Sequence, residues 1–204
     1  MEGPKVLVHG GGVMASEMLR NLGIEPVMKD GRRITDAATL KVVTMVYAGW
    51  CAKNICARLQ ALGCNAVSLA GCDGAIITAA KRPVGETDWG YVGDLNDDSV
   101  NAQALRTLIG DGFVPVVCAI GHDGSGQLLN TNADTVASAL ASALGAELHL
   151  EFELSGVLKD KDDPESLIES IKVSEIERLK TDGTISGGMI PKIDNAARAI
   201  LKGA

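Results

Sequence analysis

Along the chain, short runs of β-branched and apolar residues alternate with longer stretches in which apolar residues recur at helical spacing. The short runs at Lys5–His9, Ala66–Ala70, Ala75–Ala79, Val114–Cys118 and Glu147–Phe152 predict strands. The longer stretches predict helices over Met14–Leu22, Asp36–Val46, Ala52–Leu62, Val100–Ile109, Ala133–Leu144, Pro164–Lys172, Ser174–Thr181 and Lys192–Leu201. Strands separated by helices that can cross back over a sheet are the signature of an α/β layered fold with a largely parallel sheet. The segments around Arg33 and over Lys81–Gly93, mixing Gly, Pro, Asp and Trp, read as loops or small hairpins. Asn132 is placed to cap the helix that starts at Ala133. A soft boundary falls near Asp111–Val114.

The first predicted strand runs straight into His9-Gly10-Gly11-Gly12 and then into a helix. Glycines let the backbone turn sharply and bring N–H groups against an anion, and the helix start adds its partial positive charge at the same point. Three single-motif readings of this cradle are weak. Gly10-x-Gly12-x-x-Ala15 with Asp30 is a loose dinucleotide fingerprint, but no clean second strand leads to Asp30. An esterase oxyanion loop lacks its Gly-x-Ser-x-Gly, and a Walker A loop lacks its Gly-Lys.

Composition narrows the choice. With 204 residues, 46% of them hydrophobic, the chain can bury a sizeable core. A formal net charge of −7 argues against nucleic acid or a membrane surface as partner. The five cysteines, Cys51, Cys56, Cys64, Cys72 and Cys118, lack zinc-ligand spacing and read as reduced thiols of a cytoplasmic protein, and no metal site is expected. No apolar run is long enough to span a bilayer. Trp50 and Trp89 read as packing residues, and His9 as a residue that orients the glycine turn.

Five segments in fixed order are more specific than the cradle alone: His9-Gly10-Gly11-Gly12; Gly31-Arg32-Arg33-Ile34-Thr35; Leu69-Ala70-Gly71-Cys72-Asp73-Gly74; Leu129-Asn130-Thr131-Asn132-Ala133-Asp134; and Gly187-Gly188-Met189-Ile190-Pro191-Lys192. Tyr91-Val92-Gly93 joins them. With these segments the whole chain resembles the amino-acid kinase family, most closely its members that act on acylated glutamate. The resemblance implies a three-layer αβα sandwich with a mainly parallel central sheet, as one domain over 1–204. An acylglutamate-binding lobe at 1–112 and a nucleotide-binding lobe at 113–204 are expected. It also implies ATP-dependent phosphorylation of the side-chain carboxylate of an N-acylglutamate, in arginine biosynthesis, by a homodimer.

Under that resemblance Gly10, Gly11 and Gly12 hold the reacting groups through backbone N–H donors. Arg33 clamps the acceptor's α-carboxylate, and Asn130 hydrogen-bonds the acceptor. Lys192 stabilises the transferring phosphoryl group from the ATP side, while Asp134 orients it. Glu153, Leu154, Ser155, Gly156, Val157, Leu158, Thr184, Ile185 and Ser186 form the nucleotide pocket, with Mg2+ carried by the nucleotide. Two departures accompany the match. The Phe152-Glu153-Leu154-Ser155-Gly156 stretch differs from the family's usual Asp-Val-x-Gly arrangement. The family's usual first strand, ending Lys-x-Gly-Gly, its following helix and its C-terminal strand region have no matching segment. A truncated, non-catalytic acylglutamate-binding or regulatory homologue is therefore the alternative expectation.

Overall fold

The computed structural model describes residues 3–29, 31–151, 156–160, 162–163 and 165–204. Its centre is a parallel three-stranded sheet of β1 (Leu7–His9), β7 (Val114–Cys118) and β4 (Ala66–Ala70), in the order β1-β7-β4. Val116, Val117 and Cys118 in the middle strand are all fully buried. Successive side chains point to opposite faces, so a strand buried on both must be covered on both. Helix α3 (Ala52–Ala61) packs on β4 and β7, while α4 (Ala102–Gly110) packs on β7 and α5 (Ala133–Leu144) on β1. This is the expected αβα sandwich.

Register sets up the functional edge. His9 stands opposite Cys118, and Cys118 opposite Ala70, so the three strands end in line. From this common carboxyl edge the chain enters α1 (Gly12–Asn21) after β1 and the Gly71–Gly74 turn after β4. Crevices at the carboxyl ends of parallel strands are where α/β folds bind ligands. Above the edge lie three antiparallel hairpins: β2 (Met28–Lys29) with β3 (Arg32–Arg33), β5 (Ala80–Lys81) with β6 (Gly93–Asp94), and β8 (Ile120–His122) with β9 (Leu128–Asn130). Single bridges stitch them together, Thr35 to Gly90 and Val92 to Asn130.

Caps fix where the helices begin. Asp36 accepts from Thr39 N at 2.7 Å ahead of α2 (Ala37–Thr44), and Asn132 accepts from Thr135 N at 2.9 Å ahead of α5. The cap expected at Asn132 is thus present. Between α2 and α3 the gap expected after Val46 is a π-helical segment, Met45–Cys51, so the run from 37 to 61 is one helix with a widened middle.

Three predicted elements differ. Ala75–Ala79 makes isolated bridges at Ile77 and Thr78 instead of a strand, because Asp73 accepts from Ala70 N at 2.7 Å and folds the chain back, so Ile77 N donates to Gly71 O. No helix forms over 165–172, where Ser166 donates to the carbonyls of Asp160 and Asp163. Local side-chain bonds of this kind compete with helical ones. Of the strand expected at Glu147–Phe152, residues 147–151 join no ladder, with Glu147 and His149 paired at 3.4 Å, and Phe152 lies outside the described residues.

The main core gathers Leu19, Val43, Val46, Ile76, Ile77, Leu105, Val117, Ile120, Val136 and Leu140 around the sheet. A smaller one joins Val157, Ile176, Leu179 and Ile185 under α6 (Ile176–Thr181) and the first turns of α7 (Met189–Leu201). Helix α7 is fastened to α5 by Ser138 Oγ, which donates to Asn195 O at 2.8 Å.

Candidate active site

The glycine turn is shaped by what lies beneath it. A Cβ on Gly11 would stand 2.9 Å from both Tyr47 Cδ1 and Cys51 Sγ, closer than carbon and sulfur allow. Gly11 is therefore glycine because the protein's own packing leaves no room. Gly10 and Gly12 are different: the nearest atoms to a Cβ there are Ala133 Cβ at 3.6 Å and Tyr47 Oη at 3.9 Å. The protein alone does not require glycine at either position, which leaves the turn's outer face open to a ligand. His9 Nδ1–H donates to Gly10 O at 2.8 Å and steadies the entry to the turn. Burial pushes the His9 pKa below its ordinary value, partly offset by that hydrogen bond, so the ring is neutral.

Arg33 reaches this turn from β3. Its Nη2 donates to Gly12 O at 2.9 Å and to Ser16 Oγ at 2.8 Å. The residue is only 7% exposed, no carboxylate among the described residues pairs with it, and its Nη1 is buried without a partner. A buried, unpaired guanidinium is costly, and an anionic ligand removes that cost. Asn130 lies in the same network. Its Nδ2 donates to Thr35 Oγ1 at 3.0 Å, its backbone N donates to Tyr91 O, and its Oδ1 is buried without a partner. Tyr91 N in turn donates to Thr35 O at 2.7 Å. The segments around Gly12, Arg33, Tyr91 and Asn130 are thus tied to one another at the sheet's carboxyl edge, leaving one buried donor and one buried acceptor unused.

The second part of the site follows α5. Ala133 lies beside Gly10, and Asp134, in the first turn of α5, receives Lys192 of α7 at 3.1 Å. Both side chains are about a quarter exposed. A carboxylate at a helix N-terminus is favoured by the macrodipole, and here it also holds an ammonium group at the sheet edge. Gly187 and Gly188, just before α7, have no atom within 4 Å of a Cβ position.

The remaining residues expected to contact nucleotide divide by burial. Val157 and Ile185 have their side chains in the smaller core, with Ile185 N donating to Leu179 O at 2.8 Å. Leu158 bridges to Leu167, and Gly156 packs against the Leu167 side chain. Thr184 is half-buried with its N donating to Asp182 Oδ1, and Ser186 is exposed ahead of α7. Glu153, Leu154 and Ser155 lie outside the described residues. No grouping of three or more His, Cys, Asp or Glu suited to a metal occurs among the described residues.

Three residues of this network were not singled out for roles in the sequence: Ser16, Thr35 and Tyr47. Ser16 lies one helical turn after Gly12 and Thr35 two residues after Arg33, on the same strand face. Those spacings were available signals. Tyr47 carried none, since its closeness to Gly11 is made by the fold. At the same edge, burial pushes the Cys118 thiol up to about 12.

Comparison with known proteins gives this arrangement a lineage. Residues 2–204 match the model of the amino acid kinase family. An acetylglutamate kinase of Bacteroides thetaiotaomicron is 51% identical over 207 residues, spanning 100% of this chain and 80% of that protein. An acetylglutamate kinase of Cytophaga hutchinsonii is 52% identical over 204 residues, spanning 98% of this chain and 76% of that protein. Among solved structures, smu.665 from Streptococcus mutans UA159 superposes with a TM-score of 0.86 at 27% identity, over 97% of this chain and 78% of that one. The family match covers the sheet, both helix starts at its carboxyl edge and the helix carrying Lys192, and the chain belongs to the amino acid kinase family.

Proposed function

We propose that this protein catalyses the ATP-dependent phosphorylation of the side-chain carboxylate of N-acetylglutamate, giving an acyl phosphate for arginine biosynthesis. The observation that carries the reading is the buried, unpaired Arg33 Nη1 beside an open glycine turn, in a chain that shares half its residues with acetylglutamate kinases. A small acceptor with two carboxylates and one amide suits that environment. Arg33 takes the α-carboxylate, Asn130 takes the amide region through its unused Oδ1, and the backbone N–H groups of Gly11 and Gly12 hold the reacting carboxylate. ATP supplies the phosphoryl group.

The carboxylate is already a nucleophile, so no general base is needed. Its oxygen forms the new bond to the γ-phosphorus as the bond to the β-phosphate oxygen breaks, and ADP leaves. The difficulty is charge, which spreads over the equatorial oxygens of the phosphoryl group in flight. Lys192 meets that charge from α7, held in direction by Asp134, while the glycine-turn N–H groups meet it from the acceptor side. Gly187 and Gly188 leave the backbone open for the phosphates, and the segments 153–158 and 184–186 form the nucleotide pocket. Mg2+ arrives with the nucleotide. The acceptor belongs to the lobe at 1–112, with Asn130 reaching over from the nucleotide lobe at 113–204.

We assign the protein to the cytoplasm as a homodimer; no helix among the described residues is long and apolar enough to cross a membrane. Exposed Met45 and Trp50 on the 37–61 helical run support a second copy covering that face. A coupled assay of ADP release tests the function. Turnover should depend on N-acetylglutamate and be lost with unacylated glutamate. Binding of N-acetylglutamate with no ADP release would favour the non-catalytic alternative.

A further inference from the structure

We infer that Thr35 is a positioning residue that sets which end of the Asn130 amide faces the acceptor, and so makes an N–H group on the acceptor a condition of binding. The inference rests on the function proposed above and adds to it a basis for selecting an amide over an ester.

Thr35 is fully buried, and its backbone is held from both directions. Its N donates to Trp89 O at 3.0 Å, and its O receives Tyr91 N at 2.7 Å. Between those two residues Gly90 takes a φ of +68° and lies so close that a Cβ would fall on Thr35 O. The segment 89–91 therefore wraps the Thr35 backbone and fixes where its side chain starts.

The direction of one carbonyl then decides what the hydroxyl does. Ile34 N donates to Val27 O at 2.9 Å, so these two form a hydrogen-bonded pair of the β2–β3 hairpin, and the next pair, Met28 with Arg33, is a non-bonded one. The Arg33 carbonyl thus points away from β2, and Thr35 Oγ1 donates to it at 3.1 Å. A hydroxyl has a single proton to give. With that proton on Arg33 O, Thr35 Oγ1 can only accept, and it accepts from Asn130 Nδ2 at 3.0 Å. Asn130 Oδ1 is left on the other side of the amide, buried and with no partner among the described residues.

The consequence falls on the ligand. The two ends of a side-chain amide have the same shape and opposite hydrogen-bonding character. Turned over, Asn130 would offer N–H donors and suit an ester or ether oxygen. Held by Thr35, it offers an acceptor, and a donor must meet it. The N–H of an N-acylated amino acid does so. An ester of the same outline brings an oxygen there instead and sets two acceptors face to face, leaving the buried Oδ1 unpaired.

Kinetics with N-acetylglutamate and with α-acetoxyglutarate, the ester in which oxygen replaces the amide N–H, read this out. The wild type should have a KM about 30-fold higher for the ester, the cost of a buried acceptor left unpaired. Thr35→Val, of the same shape without the hydroxyl, frees the Asn130 amide to turn over. It should raise the KM for N-acetylglutamate about 5-fold, lower that for the ester, and bring the two within about 3-fold of each other. Thr35→Ser keeps the hydroxyl and should keep the wild-type ratio. Equal KM values for the two compounds in the wild type would overturn the inference, whether or not Thr35→Val folds. So would a Thr35→Val protein in which both KM values rise by the same factor, the mark of a merely structural threonine, or a ratio that collapses in Thr35→Ser as well. A wild-type protein that neither binds nor phosphorylates N-acetylglutamate would instead overturn the reading of function.

Discussion

The proposed acceptor and nucleotide sides of the site are built differently. On the acceptor side, Arg33, Ser16, Thr35, Tyr91 and Asn130 are fastened to one another and to the glycine turn by hydrogen bonds within buried surroundings. On the nucleotide side, a partly exposed ion pair, Lys192 with Asp134, stands beside Gly187 and Gly188, where an added Cβ would meet no atom within 4 Å. The first arrangement suits a small ligand of fixed shape that must be recognised by a rigid fork. The second suits a large ligand and a moving charge, which a flexible lysine can follow and a rigid arginine cannot. The contrast also locates stability. The acceptor side has Ala15, Tyr47 and Cys51 of the main core beside its glycine turn, whereas the nucleotide side rests on a smaller core joined to the rest through α5 and α7.

Substitutions on each side should therefore separate turnover from binding. The largest effect is expected from Lys192→Ala, a fall in kcat of about 100-fold to 1000-fold with the acceptor KM nearly unchanged, as when a preorganised donor to a transition state is removed. Arg33→Ala should act in the opposite sense. It should raise the acceptor KM by up to about 100-fold, the value of charge-assisted hydrogen bonds to a carboxylate, and leave kcat less affected. If both variants changed the same kinetic parameter, the division into two sides would not stand.

Smaller effects test the frame of the turn. Gly11→Ala forces a methyl against Tyr47 and Cys51 and should cost about 1–3 kcal/mol, read as a lower urea midpoint. His9 gives a dependence on pH. Its folded pKa lies below the unfolded value of 6.5, so below pH 6.5 the unfolded chain takes up protons that the folded chain resists. The stabilisation is present above pH 6.5 and is lost as pH falls towards the depressed folded pKa. The urea midpoint should therefore drop between pH 7.5 and pH 5.5, by less in His9→Asn than in the wild type.

The sequence made some parts of this legible and hid others. β4, β7 and α5 run over the residues expected, because each pairs a strong hydrophobic pattern with a clear stop or a side-chain cap. The strand expected at 75–79 has the right residue types, but the Asp73 turn diverts its backbone to other partners. The π-helical segment left only a break in the pattern, since it uses the same residues as any helix and is defined by where its N–H groups donate. The roles proposed for Gly10 to Gly12, Arg33, Asn130, Asp134 and Lys192 come from ordered motifs in the sequence. Burial of Arg33 with no counter-charge among the described residues could not be read there, because it depends on which side chains the fold brings near it.

The central claim is transfer of a phosphoryl group to a carboxylate, and its most direct test is to trap the product. With ATP, Mg2+, N-acetylglutamate and hydroxylamine, the protein should form an acyl hydroxamate in equal amount to the ADP released, and Lys192→Ala should lose both together. ADP released without hydroxamate, or N-acetylglutamate bound with neither product formed, would contradict the account.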